Sequence, residues 1–150
     1  MMKSNSFRLG IVTLVILGIS FWSGCISQEP EDSDQLVKAN LDTPFQLQLN
    51  QAAVLESEKL KIRFSSVTED SRCPSDAVCI WAGRATIVVN IFKNEQNLGA
   101  FSLSTEGDDV AVVIFDKYSI TLVEVEPYPT TKQTIALSEY IVTIVISKIV

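Results

Sequence analysis

Apolar and polar side chains alternate along two segments of this chain. In FQLQLN, residues 45–50, Phe45, Leu47 and Leu49 alternate with polar residues, and KLKIRFS, residues 59–65, repeats the pattern. A period of two places all the apolar side chains on one face of an extended strand. Both segments are therefore predicted to be β-strands with one buried face and one face in water.

Two further segments, residues 85–93 and 140–149, are almost continuous in Ile and Val, which is typical of strands in the middle of a sheet. Polar turns separate the other segments, and Pro127 and Pro129 end one of them because proline supplies no ladder donor. The chain is predicted to be all-β, an antiparallel β-sandwich or barrel-like fold of seven to eight strands over residues 44–150. The predicted strands are 45–50, 52–56, 60–67, 85–93, 98–104, 110–115, 118–125 and 140–149.

The N-terminal residues have the layout of an export signal. Lys3 and Arg8 precede an apolar run that ends at Trp22, and Ser23 and Gly24 lead to Cys25. The Ser-Gly-Cys ending resembles the lipobox of bacterial and archaeal lipoproteins, with Trp22 where the lipobox usually has Leu. The resemblance implies a signal peptide over residues 1–24 and lipidation of Cys25. An uncleaved membrane anchor over residues 9–28 remains the alternative, since that stretch has the length to cross a bilayer.

Residues 25–43 follow as a lipidated cysteine and an acidic tether with little apolar material. Positive charge before the apolar run and acidic charge after it place residue 29 onward outside the cytoplasm. We therefore expect an extracytoplasmic domain held at the cell membrane or envelope surface.

Charge and composition exclude several classes of function. The chain has a net charge of −6, and removal of residues 1–24 leaves 10 basic and 18 acidic residues, so nucleic acid is not an expected partner. It contains no histidine, which excludes a Ser/His/Asp triad and histidine-containing zinc sites. No cofactor or metal motif is present, and we expect no enzyme. A hydrolase built on paired carboxylates is a lesser alternative, with Glu69, Asp70, Asp76, Glu106, Asp108, Asp109, Glu124 and Glu126 as candidates.

Three cysteines in an exported chain would leave one unpaired. With Cys25 assigned to lipid, Cys73 and Cys79 remain as a predicted disulfide that closes the loop CPSDAVC. A loop of this size is expected to stabilise the fold by about 2 to 2.5 kcal/mol. A redox pair is disfavoured because such pairs have two intervening residues at a helix N-terminus. A metal held by two thiolates would need carboxylates as its other ligands.

Residues around this pair have local roles in the predicted loop. Asp70 and Ser71 are expected to accept backbone hydrogen bonds, Pro74 to set a turn, and Gly83 to allow a close approach. We expect Trp81 to lie against the disulfide and to cap one end of the core.

The residues from Asp70 to Pro74 (DSRCP), followed by Cys79-x-Trp81-Ala82-Gly83-x-Ala85, resemble the signature of a family of small exported or lipid-anchored microbial β-domain proteins. The resemblance implies a β-domain and no assigned activity. Arg84 stands where that signature has Asn or Glu, so no acidic site beside the tryptophan is implied.

The expected function is a binding or interaction module at the cell envelope, with a protein or glycan partner. Loops at one end of a rigid β-scaffold commonly form such contact surfaces. The candidate surface comprises Asp70, Arg72, Pro74, Trp81, Gly83 and Arg84. Two alternatives are a purely structural envelope protein and a protease inhibitor that presents the closed loop.

Overall fold

The computed structural model describes residues 36–105 and 112–149, and they form two β-sheets packed against each other. One sheet has the order β1-β3-β4-β5-β6 and the other the order β2-β9-β8-β7. No α-helix occurs in these residues, and the predicted all-β sandwich is confirmed. The strands are β1 Leu36–Lys38, β2 Phe45–Gln48, β3 Ala52–Leu55, β4 Leu60–Asp70, β5 Ala85–Lys93, β6 Gln96–Ser104, β7 Val112–Phe115, β8 Tyr118–Glu126 and β9 Ile141–Lys148.

The core is built from the alternate side chains that the period-two pattern predicted. On β4, Leu60, Ile62 and Phe64 are fully buried, and they meet apolar residues of the facing sheet such as Ile120 and Ile144. The Ile- and Val-rich strands β5 and β9 both have a hydrogen-bonded neighbour on each side, as expected. Burial of these side chains is the main favourable term in folding of the domain.

The sheet begins earlier in the chain than the sequence predicted. Leu36–Lys38 was expected to belong to the acidic tether, but it pairs in parallel with β3 and Ala39 after it is buried. The described residues therefore hold nine strands, one more than the upper expectation. A strand of three residues is too short to display the alternation on which the prediction depended.

The turn predicted at residues 93–97 is a two-residue hairpin loop between β5 and β6. Asn94 and Glu95 both have positive φ, 48° and 67°, as a type I′ turn requires. Residues 106–109 of the turn predicted at 105–109 lie outside the described residues, as do the predicted signal peptide and Cys25. None of the described residues forms a helix long and apolar enough to cross a membrane.

Strand register defines the two ends of the sandwich. At the loop end, Asp70 pairs with Ala85 in one sheet and Glu126 with Ile141 in the other. At the opposite end, which we call the clasp end, Leu60 pairs with Lys93, and Tyr118 pairs with Lys148.

A polar cluster joins the two sheets at the clasp end. The hydroxyl of Tyr118 donates a hydrogen bond to the carboxylate of Glu58, in the turn between β3 and β4. Lys93 Nζ donates to Tyr118 Oη at 2.7 Å, and Lys148 Nζ lies 3.0 Å from Glu58 Oε1. Burial, together with the hydrogen bond to Glu58, raises the pKa of Tyr118 to about 12. The hydroxyl is protonated at neutral pH, as an ordinary tyrosine hydroxyl also is, and its hydrogen bond to Glu58 links the two sheets.

Candidate functional site: the disulfide loop

The connection between β4 and β5 forms a closed loop at the loop end. Cys73 and Cys79 are joined by a disulfide, with 5.9 Å between their Cα atoms, as the sequence predicted. At the base of the loop, Ser71 N donates to Arg84 O and Cys73 N donates to Ala82 O, both at 2.7 Å. These two bonds continue the pairing of β4 and β5 past their ends and hold the two sides of the loop together.

Gly83 is required where the two sides of the loop meet. Its φ is +68°, a conformation that side chains disfavour, and a Cβ at this position would lie 1.8 Å from the carbonyl oxygen of Ser71. The predicted close approach at Gly83 is confirmed.

Arg72 ties the loop to the opposite sheet. Its guanidinium makes two hydrogen bonds to Asp70, Nε to Oδ1 at 2.8 Å and Nη2 to Oδ2 at 2.7 Å. It also donates to the carbonyl oxygens of Val125 and Pro127. Tyr140 Oη donates to Asp70 Oδ2 at 3.0 Å. Only 8% of Arg72 is exposed, so this bidentate pair is a largely buried ionic contact.

The electrostatics of this network favour its ionised form. Burial alone would raise the pKa of Asp70, but the hydrogen bonds from Arg72 and Tyr140 outweigh it and hold that pKa below its ordinary value. Burial alone would lower the pKa of Arg72, but the hydrogen bond to Asp70 outweighs burial and raises the pKa of Arg72 above its ordinary value. The pKa of Tyr140 rises to about 12 through burial and its bond to Asp70.

The first half of the loop rests on the connection that follows β8. Ser75 N donates to Pro129 O at 2.9 Å, and both Asp76 carboxylate oxygens accept hydrogen bonds from Thr131, from N at 2.8 Å and Oγ1 at 2.7 Å. Ala77 N closes a turn onto Pro74 O, in agreement with the predicted role of Pro74. Hydrogen bonds to neighbouring segments therefore fix this half of the loop.

The second half of the loop projects into solvent. Val78, Ile80 and Trp81 are 103%, 91% and 82% exposed. We call these three residues the apolar tip. The expectation that Trp81 caps the core was wrong, because the adjacent sheet end is already closed by Arg72, Tyr140 and the chain after β8.

The structure divides the predicted contact surface into interior and exterior residues. Asp70 and Arg72 form the buried pair and have little surface to offer a partner. Arg84 is exposed and lies 3.2 Å from Glu69, while Trp81 is the most prominent exposed aromatic. Val78 and Ile80 were not predicted. The available signal was their apolar character inside a turn-rich loop, where no strand pattern accounts for it.

The described acidic candidates for a hydrolase are dispersed. Glu69 contacts Arg84, Asp70 is paired with Arg72, and Asp76 is bonded to Thr131. Glu124 and Glu126 are exposed on β8, whereas Glu106, Asp108 and Asp109 lie outside the described residues. Within residues 36–105 and 112–149, no three side chains of His, Cys, Asp or Glu are grouped so that they could hold a metal ion.

Comparison with known proteins gives no relative for this chain: no family model, no curated protein and no solved structure matches it. The resemblance of DSRCP and CxWAGxA to an exported β-domain family therefore stays a prediction.

Proposed function

We propose that this protein is a binding module outside the cytoplasm, anchored through lipid on Cys25, with the apolar tip as its contact surface. The observation that carries this proposal is the exposure of Val78, Ile80 and Trp81 on a loop that is otherwise firmly held. Large apolar side chains grouped on a protein surface are typical of interaction sites.

The anchoring of the loop supports binding over a purely structural role. The disulfide, Gly83 and the Arg72 network account for the shape of the loop without any contact from the apolar tip. A motif that served folding alone would be expected to bury its tryptophan, because a buried indole stabilises a core. A preorganised loop loses less conformational freedom on binding, which raises affinity for a partner.

The contact surface is tested with a photo-crosslinking amino acid at position 81 in intact cells. A discrete crosslinked product is expected at position 81, and it is expected to disappear in a V78S/I80S background. The matched control is the same amino acid at position 114, since Ile114 is an exposed apolar residue on β7, away from the loop end. Equal products at both positions, or no product with either protein or lipid at position 81, would refute the proposal.

The anchor is tested separately. Cys25→Ala is expected to release the protein from membranes during an alkaline carbonate wash and to leave its melting temperature unchanged. Retention of the variant in the membrane pellet would instead favour an uncleaved N-terminal anchor.

A further inference from the structure

We propose that the apolar tip inserts into the interface of the lipid bilayer in which the N-terminal anchor is held. This inference rests on the proposed function, since it names the partner of the same surface. The side chains of Val78, Ile80 and Trp81 insert into the region of the bilayer between the headgroups and the acyl chains.

The chemistry of the loop matches that boundary. Tryptophan is enriched at membrane interfaces, where its ring is apolar and its N–H can reach polar headgroups. The loop from Cys73 to Gly83 contains one formally charged residue, Asp76, whose carboxylate is engaged by Thr131. No other charge in the loop would have to be desolvated when the apolar tip enters lipid.

Five of the nine large apolar side chains that are exposed in the described residues lie in the connections at the loop end. Tyr128 and Leu137, both more than half exposed, belong to the connection between β8 and β9 at the loop end. The ring of Tyr128 lies over the guanidinium of Arg72, 4.9 Å from its Cζ atom. A glycan site would be expected to place polar side chains beside Trp81, whereas the adjacent residues in the chain, Ile80 and Ala82, are aliphatic.

The number of residues before β1 limits the distance between the domain and the proposed anchor. β4 runs from the clasp end to the loop end and β1 runs opposite to it, and Leu36 at the start of β1 lies nearer the clasp end than the loop end. Leu36 pairs with Ala52, and Ala52 pairs with Arg63, so Leu36 is level with Arg63. From Arg63 to Asp70 is about 23 Å along β4. The ten residues between Cys25 and Leu36 span at most about 40 Å, enough to pass the loop end but not to extend far beyond it.

The net charge of the protein determines which lipid composition is suitable for testing insertion. Without residues 1–24 the protein has 10 basic and 18 acidic residues, so anionic headgroups repel it and insertion depends on apolar contact and not on electrostatic attraction. Phosphatidylcholine vesicles are therefore the appropriate probe, and added anionic lipid is expected to weaken insertion.

The experiment follows the fluorescence of Trp81 in the full-length protein. Trp22→Phe leaves Trp81 as the only tryptophan, and the protein is reconstituted into phosphatidylcholine vesicles with or without acyl chains brominated near the headgroup. We expect Trp81 in the vesicles to emit at a shorter wavelength than Trp81 in the protein unfolded by denaturant without detergent. Brominated lipid is expected to remove most of its emission, and iodide is expected not to quench it. The V78S/I80S variant is expected to lose all three effects and I114S to keep them, with melting temperatures that show that both are folded.

The outcomes separate this inference from the proposed function. Trp81 that is open to iodide and insensitive to brominated lipid overturns the membrane inference. If the position-81 crosslink then joins one other protein, or a second copy of this chain, the binding function stands with that partner. If no such crosslink forms, the proposed function fails as well.

Discussion

At the clasp end, Glu58, Tyr118, Lys93 and Lys148 join the two sheets beneath short turns. At the loop end, Asp70, Arg72 and Tyr140 do the same, but eleven residues from Cys73 to Gly83 stand above them with the apolar tip exposed. Both networks hold the sandwich closed, and among the described residues the projection that the closure does not need lies at the loop end. The comparison distinguishes the two polar networks, which stabilise the fold, from the apolar tip, which is exposed for contact with a partner.

The largest loss of stability is expected from Arg72→Met. The substitution leaves the carboxylate of Asp70 without its ionic partner in a buried position, and the free energy of unfolding is expected to fall by about 3–5 kcal/mol. Chemical denaturation measures the change. The double variant D70N/R72M, which removes both charges, is expected to recover part of the loss, and a single-variant effect below about 1 kcal/mol would show that closure at the loop end does not depend on this pair.

Removal of the disulfide is expected to cost less. Replacing Cys73 and Cys79 together by serine frees a small loop in the unfolded chain, and about 2 kcal/mol of stability should be lost. The same denaturation experiment measures it, and the parent protein under reducing conditions serves as control. If the double serine variant and the reduced parent differ strongly in stability, the serine side chains and not the missing disulfide account for the difference.

At the clasp end, Tyr118→Phe is expected to cost about 1–2 kcal/mol, because it keeps the buried ring and removes the hydroxyl that bonds Glu58 and Lys93. Lys148→Met tests the more exposed pair with Glu58 and should cost at most about 1 kcal/mol. A larger effect for Y118F than for R72M would reverse the order of the two ends.

Acid is expected to weaken the loop end through Asp70. The pKa of this carboxyl is lowered by folding from an ordinary 3.8, so its contribution is present above about pH 4 and is lost as the pH falls through the lowered value. Denaturation midpoints of the parent should therefore fall more steeply than those of D70N between about pH 5 and pH 2. E124Q, which removes an exposed carboxylate on β8, is the matched control. Parallel curves for the parent and D70N would contradict the assignment.

The smallest effect on stability is expected at the apolar tip. Trp81→Ser removes a side chain that is 82% exposed, and the free energy of unfolding should change by no more than about 0.5 kcal/mol. Thermal melting checks this. A loss comparable to that of the disulfide variant would mean that Trp81 packs against the protein in solution, and the separation of stability from binding would not hold.

The repeating features of the fold could be predicted from sequence because each strand carries its own signal. Alternation in residues 59–65 placed Leu60, Ile62 and Phe64 inside, and the Ile- and Val-rich β5 and β9 were placed inside their sheets. β1 was missed because its three residues are held by pairing with β3 and not by a local pattern.

The site was predictable only where its contacts are local. The disulfide and Gly83 follow from residues close in sequence, and both were predicted. Arg72 bonds Val125 and Pro127, more than fifty residues away, and nothing in the motif shows whether Arg72 or Trp81 will occupy the interior. The arginine lies inside and the tryptophan outside, the reverse of what hydrophobicity alone predicts.

The parallel pairing of β1 with β3 has a mechanical consequence. The three residue pairs, Leu36 with Ala52, Val37 with Ala53 and Lys38 with Val54, lie side by side along one axis. Tension applied to the chain before Leu36 along that axis loads the hydrogen bonds between β1 and β3 in shear. These hydrogen bonds then share the force and do not open one after another. Under the proposed anchoring at Cys25, the pairing of β1 with β3 would resist a pull on the domain from the membrane.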